Sequence, residues 1–284
     1  AMAACNTTQW GQGSPPGGAV VGAAVAGDPA ALEIPVYSGA CGLQSDAAGE
    51  FVQDGSPSAE RGYIARFYVR ATNTTGEVVV FQAMDNNGAS ADQPVFKVAY
   101  DGAAQQLKFY GGNGAGGFGA AQSLAASRGR WYGVEISYAA GAGTNTGTLS
   151  GQVIGARNFN VPQFGTASSI PGVTGIGISS ASAGVDYVQL GWVSGAATGS
   201  VQVDAFESRR STQIGFLQRG NTTGVDALCN SDDVVRALRN ANAVNGGATA
   251  NLISTGQPDC SEDGALNSDD AACAARIANL DNGT

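Results

Sequence analysis

The chain has 284 residues and a net charge of −9 at neutral pH, with 14 lysines and arginines and no histidine. The scarcity of cations excludes a phosphate-reading basic footprint, and the missing imidazole excludes Ser-His-Asp triads, Cys-His pairs and histidine zinc sites. Apolar residues make up 43% and charged residues only 13%, with 43 glycines, which fits a folded domain with many turns rather than a disordered chain.

The opening AMAACNTT fits either the small-residue remainder of a signal-peptide cleavage site or a cloning scar. Of the five cysteines, Cys5 and Cys41 have only each other nearby in sequence and are expected to pair. In an oxidising compartment such a loop contributes about 4 kcal/mol. No apolar run approaches the roughly 20 residues of a spanning helix, so no membrane span is expected.

Two early runs, AVVGAAVAG and LEIPVYS, precede a series that starts at Tyr63: YIARFYVR, EVVVFQAM, PVFKVAY, QQLKFY, WYGVEISY, TLSGQVI, TGIGIS, VDYVQLGWV and SVQVDAFES. Each is short, rich in Val, Ile, Phe and Tyr, and bounded by Asn-Gly, Asp-Gly or Gly-rich turns, so about ten or eleven strands are predicted before residue 210. Many short antiparallel strands bury their faces only against another sheet, which predicts an antiparallel two-sheet jelly-roll sandwich.

Strand alternation then sorts side chains by face. On RWYGVEISY it sets Trp131, Gly133, Glu135 and Ser137 opposite Tyr132, Val134, Ile136 and Tyr138. On YIARFYVR it sets Arg66, Tyr68 and Arg70 opposite Ala65, Phe67 and Val69. Trp131, Glu135, Arg66 and Tyr68 are therefore the candidate ligand-binding residues, because an aromatic plate beside a carboxylate stacks on a sugar ring and accepts its hydroxyl protons. The same pattern also fits a Trp131 that caps the core edge beside arginines paired with carboxylates.

The stretches RGRWYGVEISY and GSVQVDAFESRR, with a Gly-rich hairpin beside the first, resemble the concanavalin A-like, laminin-G-like superfamily over roughly residues 20 to 210. The resemblance implies a jelly roll whose concave face is used for sugars or, in glucanases and lyases, for cleaving polysaccharides. Glucanases of this fold place Glu-x-Asp-x-(x)-Glu on one strand, and no such triplet exists here: Glu135 and Glu207 each stand alone. Lyases of the fold use a His or Tyr base with Arg and Gln nearby, and the histidine is missing. A lyase with a tyrosine base stays open as a minority reading, and the sequence predicts no enzyme.

The last segment changes character. NTTGVDALCNSDDVVRALRNANA is followed by PDCSEDGALNSDDAACAARIANL, an internal duplication in which N-S-D-D precedes a helical apolar period. In the second copy Asp259, Ser261 and Asp263 take positions one, three and five of a calcium loop, Gly264 the turn, the Ala265 carbonyl position seven and Asp270 position twelve. The acidic loop also fits a metal-free helix N-cap. Duplicated loops of this kind, each followed by one helix, resemble dockerin-type modules, which in that family bind calcium and dock onto cohesin partners. The first copy departs from the pattern, with Thr222, Gly224 and Ala227 where ligands and the turn glycine belong.

The expected organisation is a β-sandwich domain over residues 1–212 and a small α-helical, dockerin-like calcium-loop domain over 217–284. The expected function is a secreted, extracellular, non-catalytic module that binds glycans or anchors at a surface polymer, with calcium as its cofactor. A subunit assembling with itself into a filament or matrix is the alternative, and a polysaccharide-degrading enzyme stands third. A glycan, a cohesin-like protein or a second copy are the expected partners, and Asn6, Asn73, Asn221 and Asn282 lie in Asn-x-Thr sequons.

Overall fold

A computed structural model describes residues 19–22, 37, 41–86, 91–155, 167–177, 184–217, 234–235, 238 and 271–275. In chain order its strands are β1 (Ala19–Gly22), β2 (Cys41–Ser45), β3 (Glu50–Asp54), β4 (Gly62–Ala71), β5 (Glu77–Asp85), β6 (Gln93–Asp101), β7 (Gln106–Gly111) and β8 (Gln122–Ala125). Then follow β9 (Trp131–Ala139), β10 (Gly147–Gly155), β11 (Ser168–Ser169), β12 (Val173–Ile176), β13 (Tyr187–Ser194) and β14 (Val201–Arg209). The larger sheet runs β1-β2-β14-β4-β9-β10-β11, with β12 also on β10, and the smaller runs β3-β13-β5-β6-β7-β8. Every strand pairing is antiparallel.

The protein is therefore mainly β, two antiparallel sheets forming a sandwich. The inward sets of β4 and β9, including Tyr63, Phe67, Val69, Val134, Ile136 and Tyr138, meet Phe81, Phe96, Val98, Leu107, Phe109, Leu190 and Trp192 of the smaller sheet in one core. Phe67 of the larger sheet stacks on Phe81 of the smaller at 5.0 Å between centroids, and Phe81 on Phe96 at 5.9 Å. Each such ring contributes about 2 kcal/mol through burial alone.

One irregularity sets the chemistry of the outer face. Asp204 pairs with Tyr68 and Glu207 with Arg66, so three residue steps on β14 match two on β4. This bulge turns Asp204 and Glu207 to the same side, where regular alternation would part them. Ala205 within it has a φ of 49°, a left-handed conformation that costs a non-glycine residue energy and needs surrounding contacts to hold it.

Several sequence expectations change. The strands β3 and β8 are too short and polar to show in the sequence, β1 ends at Gly22, and of LEIPVYS only Tyr37 lies within the described residues. Asn73 is fully buried, its amide donating to the Thr75 and Gly76 carbonyls at 3.3 and 3.2 Å, so its sequon is closed to glycosylation. The expected calcium ligands Asp259, Ser261, Asp263, Ala265 and Asp270 lie outside the described residues, as does Cys5, the expected partner of Cys41. Residues 234–235, 238 and 271–275 are helical, too few to establish a second, calcium-loop domain. Cys273 is disulfide-bonded.

Candidate functional site

The outer face of the larger sheet carries its polar side chains in register. One row crosses β2, β14, β4 and β9 as Gln44, Gln202, Arg70 and Trp131. The next crosses β14, β4, β9 and β10 as Asp204, Tyr68, Gly133 and Ile154. The third crosses the same four strands as Glu207, Arg66, Glu135 and Gln152. All four residues expected from the sequence to bind a ligand, Trp131, Glu135, Arg66 and Tyr68, thus share one face.

The first row is self-paired: Arg70 donates to Gln202 at 2.8 Å and to the Gly129 carbonyl at 2.9 Å, and Gln202 donates to Gln44 at 3.0 Å. It forms one wall. The central groups converge instead on the chain that follows β14. Glu135 Oε2 accepts the Ile214 and Gly215 amides at 2.9 and 2.6 Å. Arg66 Nη1 donates to the Gly215 carbonyl at 3.1 Å. The Tyr68 hydroxyl accepts the Leu217 amide at 2.8 Å and donates to the Leu217 carbonyl at 3.0 Å. Three side chains from two strands therefore reach one four-residue stretch.

Burial follows from that cover. Tyr68 has no exposed surface and Trp131 retains 1%, while Arg66 and Glu135 retain 6% and 7%. Tyr37 stacks on Tyr68 with centroids 3.6 Å apart, meets Trp131 edge-on at 5.8 Å, and donates from its hydroxyl to the Leu217 carbonyl at 2.6 Å. Asp204 accepts the Tyr37 amide at 2.7 Å, which fixes that residue over the face. Gly133 is required here: a Cβ would lie 2.8 Å from the Tyr68 ring and 2.9 Å from Phe216.

Electrostatically the site is a buried ion set. Arg66 Nη2 contacts Glu207 at 3.2 Å and the Ala205 carbonyl at 3.3 Å, and its Nε has no hydrogen-bond partner among the described residues. Burial pushes the Tyr68 phenol up to about 12, opposed by its contact with the Tyr37 hydroxyl and by the Arg66 charge. Tyr68 therefore keeps its proton at neutral pH.

Reasoning from the sequence missed Tyr37, Asp204, Glu207 and the covering residues 214–217. Asp204 and Glu207 stand three apart on SVQVDAFES, which alternation assigns to opposite faces, and only the bulge unites them. Nothing in the sequence marks IGFL as a segment that lies across another strand pair. Among the described residues no group of three or more acidic or cysteine side chains is arranged to hold a metal ion.

No family model matches the chain, and no curated protein matches it. Among solved structures it is similar to an endo-β-1,4-glucuronan lyase from the fungus Trichoderma reesei, at 14% identity over 71% of this chain and 91% of that one, with a TM-score of 0.46. An alginate lyase from Pseudomonas aeruginosa aligns at 13% identity over 60% of this chain and 83% of that one, TM-score 0.39. A Trypanosoma rangeli sialidase aligns at 13% identity over 61% of this chain and 26% of that one, TM-score 0.39.

Against the expectation of a non-catalytic module, the similar structures are named as two lyases and a sialidase. Arg66 and Tyr68 share a face of β4, and only the β4–β9 register brings Glu135 beside them, which no triplet along one strand signals.

Proposed function

We propose that the chain is a polysaccharide-degrading enzyme that cleaves an acidic glycan by β-elimination on the outer face of the larger sheet. The observation that carries this reading is the convergence of a guanidinium, a phenol and a carboxylate, each 2.6 to 3.1 Å from atoms of one short stretch of chain. Elimination from a uronide breaks the C5–H bond and the C4–O bond, forms a C4–C5 double bond and delivers the proton to the leaving oxygen. The step needs a cation on the substrate carboxylate, so that charge built up beside it is held, and a group that takes and returns a proton.

Arg66 is the cation, and its Nε, without a partner among the described residues, is the spare donor for a carboxylate. Tyr68 is the proton carrier: as the phenolate it takes the C5 proton, and as the phenol it returns that proton to the leaving oxygen, its oxygen already making one accepted and one donated hydrogen bond within the cleft. Glu135, which holds two adjacent N–H groups here, accepts sugar hydroxyls. Trp131 and Tyr37 form the aromatic floor beneath the sugar ring. Substrate entry requires residues 214–217 to leave.

The remaining parts of the proposal concern the chain ends. The spacing of Asp259, Ser261, Asp263, the Ala265 carbonyl and Asp270 supports a calcium loop in a small helical module over 217–284. A polymeric glycan substrate supports an extracellular, secreted location, and among the described residues no helix is long and apolar enough to cross a membrane. The test is incubation of the full chain with polyglucuronate, alginate and polygalacturonate, read by ultraviolet absorbance of the unsaturated product. The expected result is product with at least one polymer and its loss in Tyr68→Phe. Absence of product from all three overturns the reading.

A further inference from the structure

We infer that residues 213–217 are an autoinhibitory strap that occupies the substrate's place and competes with it, an inference that rests on the elimination reading above. β14 ends at Arg209, and Ser211 to Gln213 are exposed. No backbone-to-backbone hydrogen bond ties 213–217 to the sheet among the described residues. Its mooring comes from side chains: Glu135 on the Ile214 and Gly215 amides, Arg66 on the Gly215 carbonyl, Tyr68 on both polar atoms of Leu217, and Tyr37 on the Leu217 carbonyl. Arg209 adds a bond to the Gln213 carbonyl at 3.0 Å.

The groups that hold the strap are the ones a glycan requires, so the two cannot be bound together. Closure is also only lightly supported by apolar burial, since Phe216 and Leu217 are half-buried and Gly215 is exposed. When only the open fraction of a protein binds, the apparent dissociation constant rises by the inverse of that fraction. The strap therefore sets KM and leaves kcat to the groups beneath it.

Gly215 offers a clean perturbation. Its φ is +81° and a Cβ placed there meets nothing within 4 Å among the described residues, so Gly215→Val adds backbone strain without a clash. Left-handed backbone at a β-branched residue shifts the closed-to-open ratio about tenfold. The experiment compares wild type and Gly215→Val by hydrogen-exchange mass spectrometry of the peptide spanning 213–217, by thermal melting, and by kinetics on the most rapidly cleaved polyuronate.

The expected result is about tenfold faster exchange of the Ile214, Gly215 and Leu217 amides, an unchanged melt for the rest of the sandwich, a KM about tenfold lower and an unchanged kcat. Exchange equal to wild type overturns the strap, as does faster exchange with an unchanged KM. Faster exchange with no turnover by either protein overturns the elimination reading, and the inhibitory role falls with it.

Discussion

Asp85 gives the sandwich an unusual dependence of stability on pH. It ends β5, is 4% exposed, and its Oδ2 has no hydrogen-bond partner among the described residues. Burial pushes its carboxyl up to about 6, reinforced by a hydrogen bond with Asp186 and by the charges of Asp186 and Asp92, with the Gly184 amide opposing. Asp186 is itself fixed by the Ala59 and Asn86 amides at 2.7 and 2.8 Å, and Asp92 by the Tyr187 hydroxyl at 2.6 Å, so neither swings away. An unfolded aspartate titrates near about 4. Between that value and about 6 the native state binds a proton that the unfolded state does not, and above it the fold must hold a charge among charges. Stability is therefore fullest below about pH 4 for this group and is lost as pH rises through about 6, by about 3 kcal/mol at most. For a sandwich of this size that corresponds to a fall in Tm of roughly 6–12 °C.

The perturbation is Asp85→Asn, whose amide stays neutral and donates to Asp186. Circular dichroism melts of wild type from pH 5 to 7.5 should show about half of that fall, roughly 3–6 °C. The variant should be flat over that range and more stable than wild type at the upper end. Asp101, whose carboxyl the Ala104 amide and Lys108 hold below the usual range, loses its contribution only at more acidic pH and does not mask the effect. A wild-type Tm that is constant or rises across that window refutes the reasoning, as does a variant that keeps the wild-type slope.

Gly133→Ala should displace the strap, because Phe216 is the neighbour of the new Cβ that can give way while Tyr68 and Ile154 are set in the sheet. The expected cost is about 1–3 kcal/mol in a chemical melt, with faster exchange at 213–217; equal stability contradicts the close approach. In the C-terminal segment, saturating calcium should raise the unfolding midpoint, Asp259→Ala and Asp270→Ala should abolish that rise, and Asp226→Ala should keep it. Calorimetry that detects no calcium binding to the chelator-treated chain removes the loop assignment.

Most strands of the sandwich were legible because the relevant signal is local. YIARFYVR, WYGVEISY and SVQVDAFES each alternate apolar and polar residues; the first two lie within β4 and β9, and the third from its second residue within β14. The same alternation placed Arg66, Tyr68, Trp131 and Glu135 on outward positions. It could not say that β4 and β9 are neighbours with Arg66 opposite Glu135, since pairing between residues 69 positions apart is a property of the sheet. Nor could it reveal the bulge at Ala205, where an ordinary alanine takes a left-handed conformation with no glycine to announce it. The strap was invisible for a related reason: IGFL has neither strand period nor charge, and its position is dictated by the side chains that receive it.

The most direct test of the central claim is the pH dependence of polyuronate cleavage in wild type and Tyr68→Phe. With residues 214–217 in place, burial pushes the Tyr68 phenol up to about 12, and the phenolate that abstracts the proton grows more abundant as pH rises. The account predicts that unsaturated product forms at a rate that rises with pH above neutrality, and that Tyr68→Phe forms none at any pH. A flat or falling profile, or a Tyr68→Phe variant that retains the wild-type rate, would contradict it.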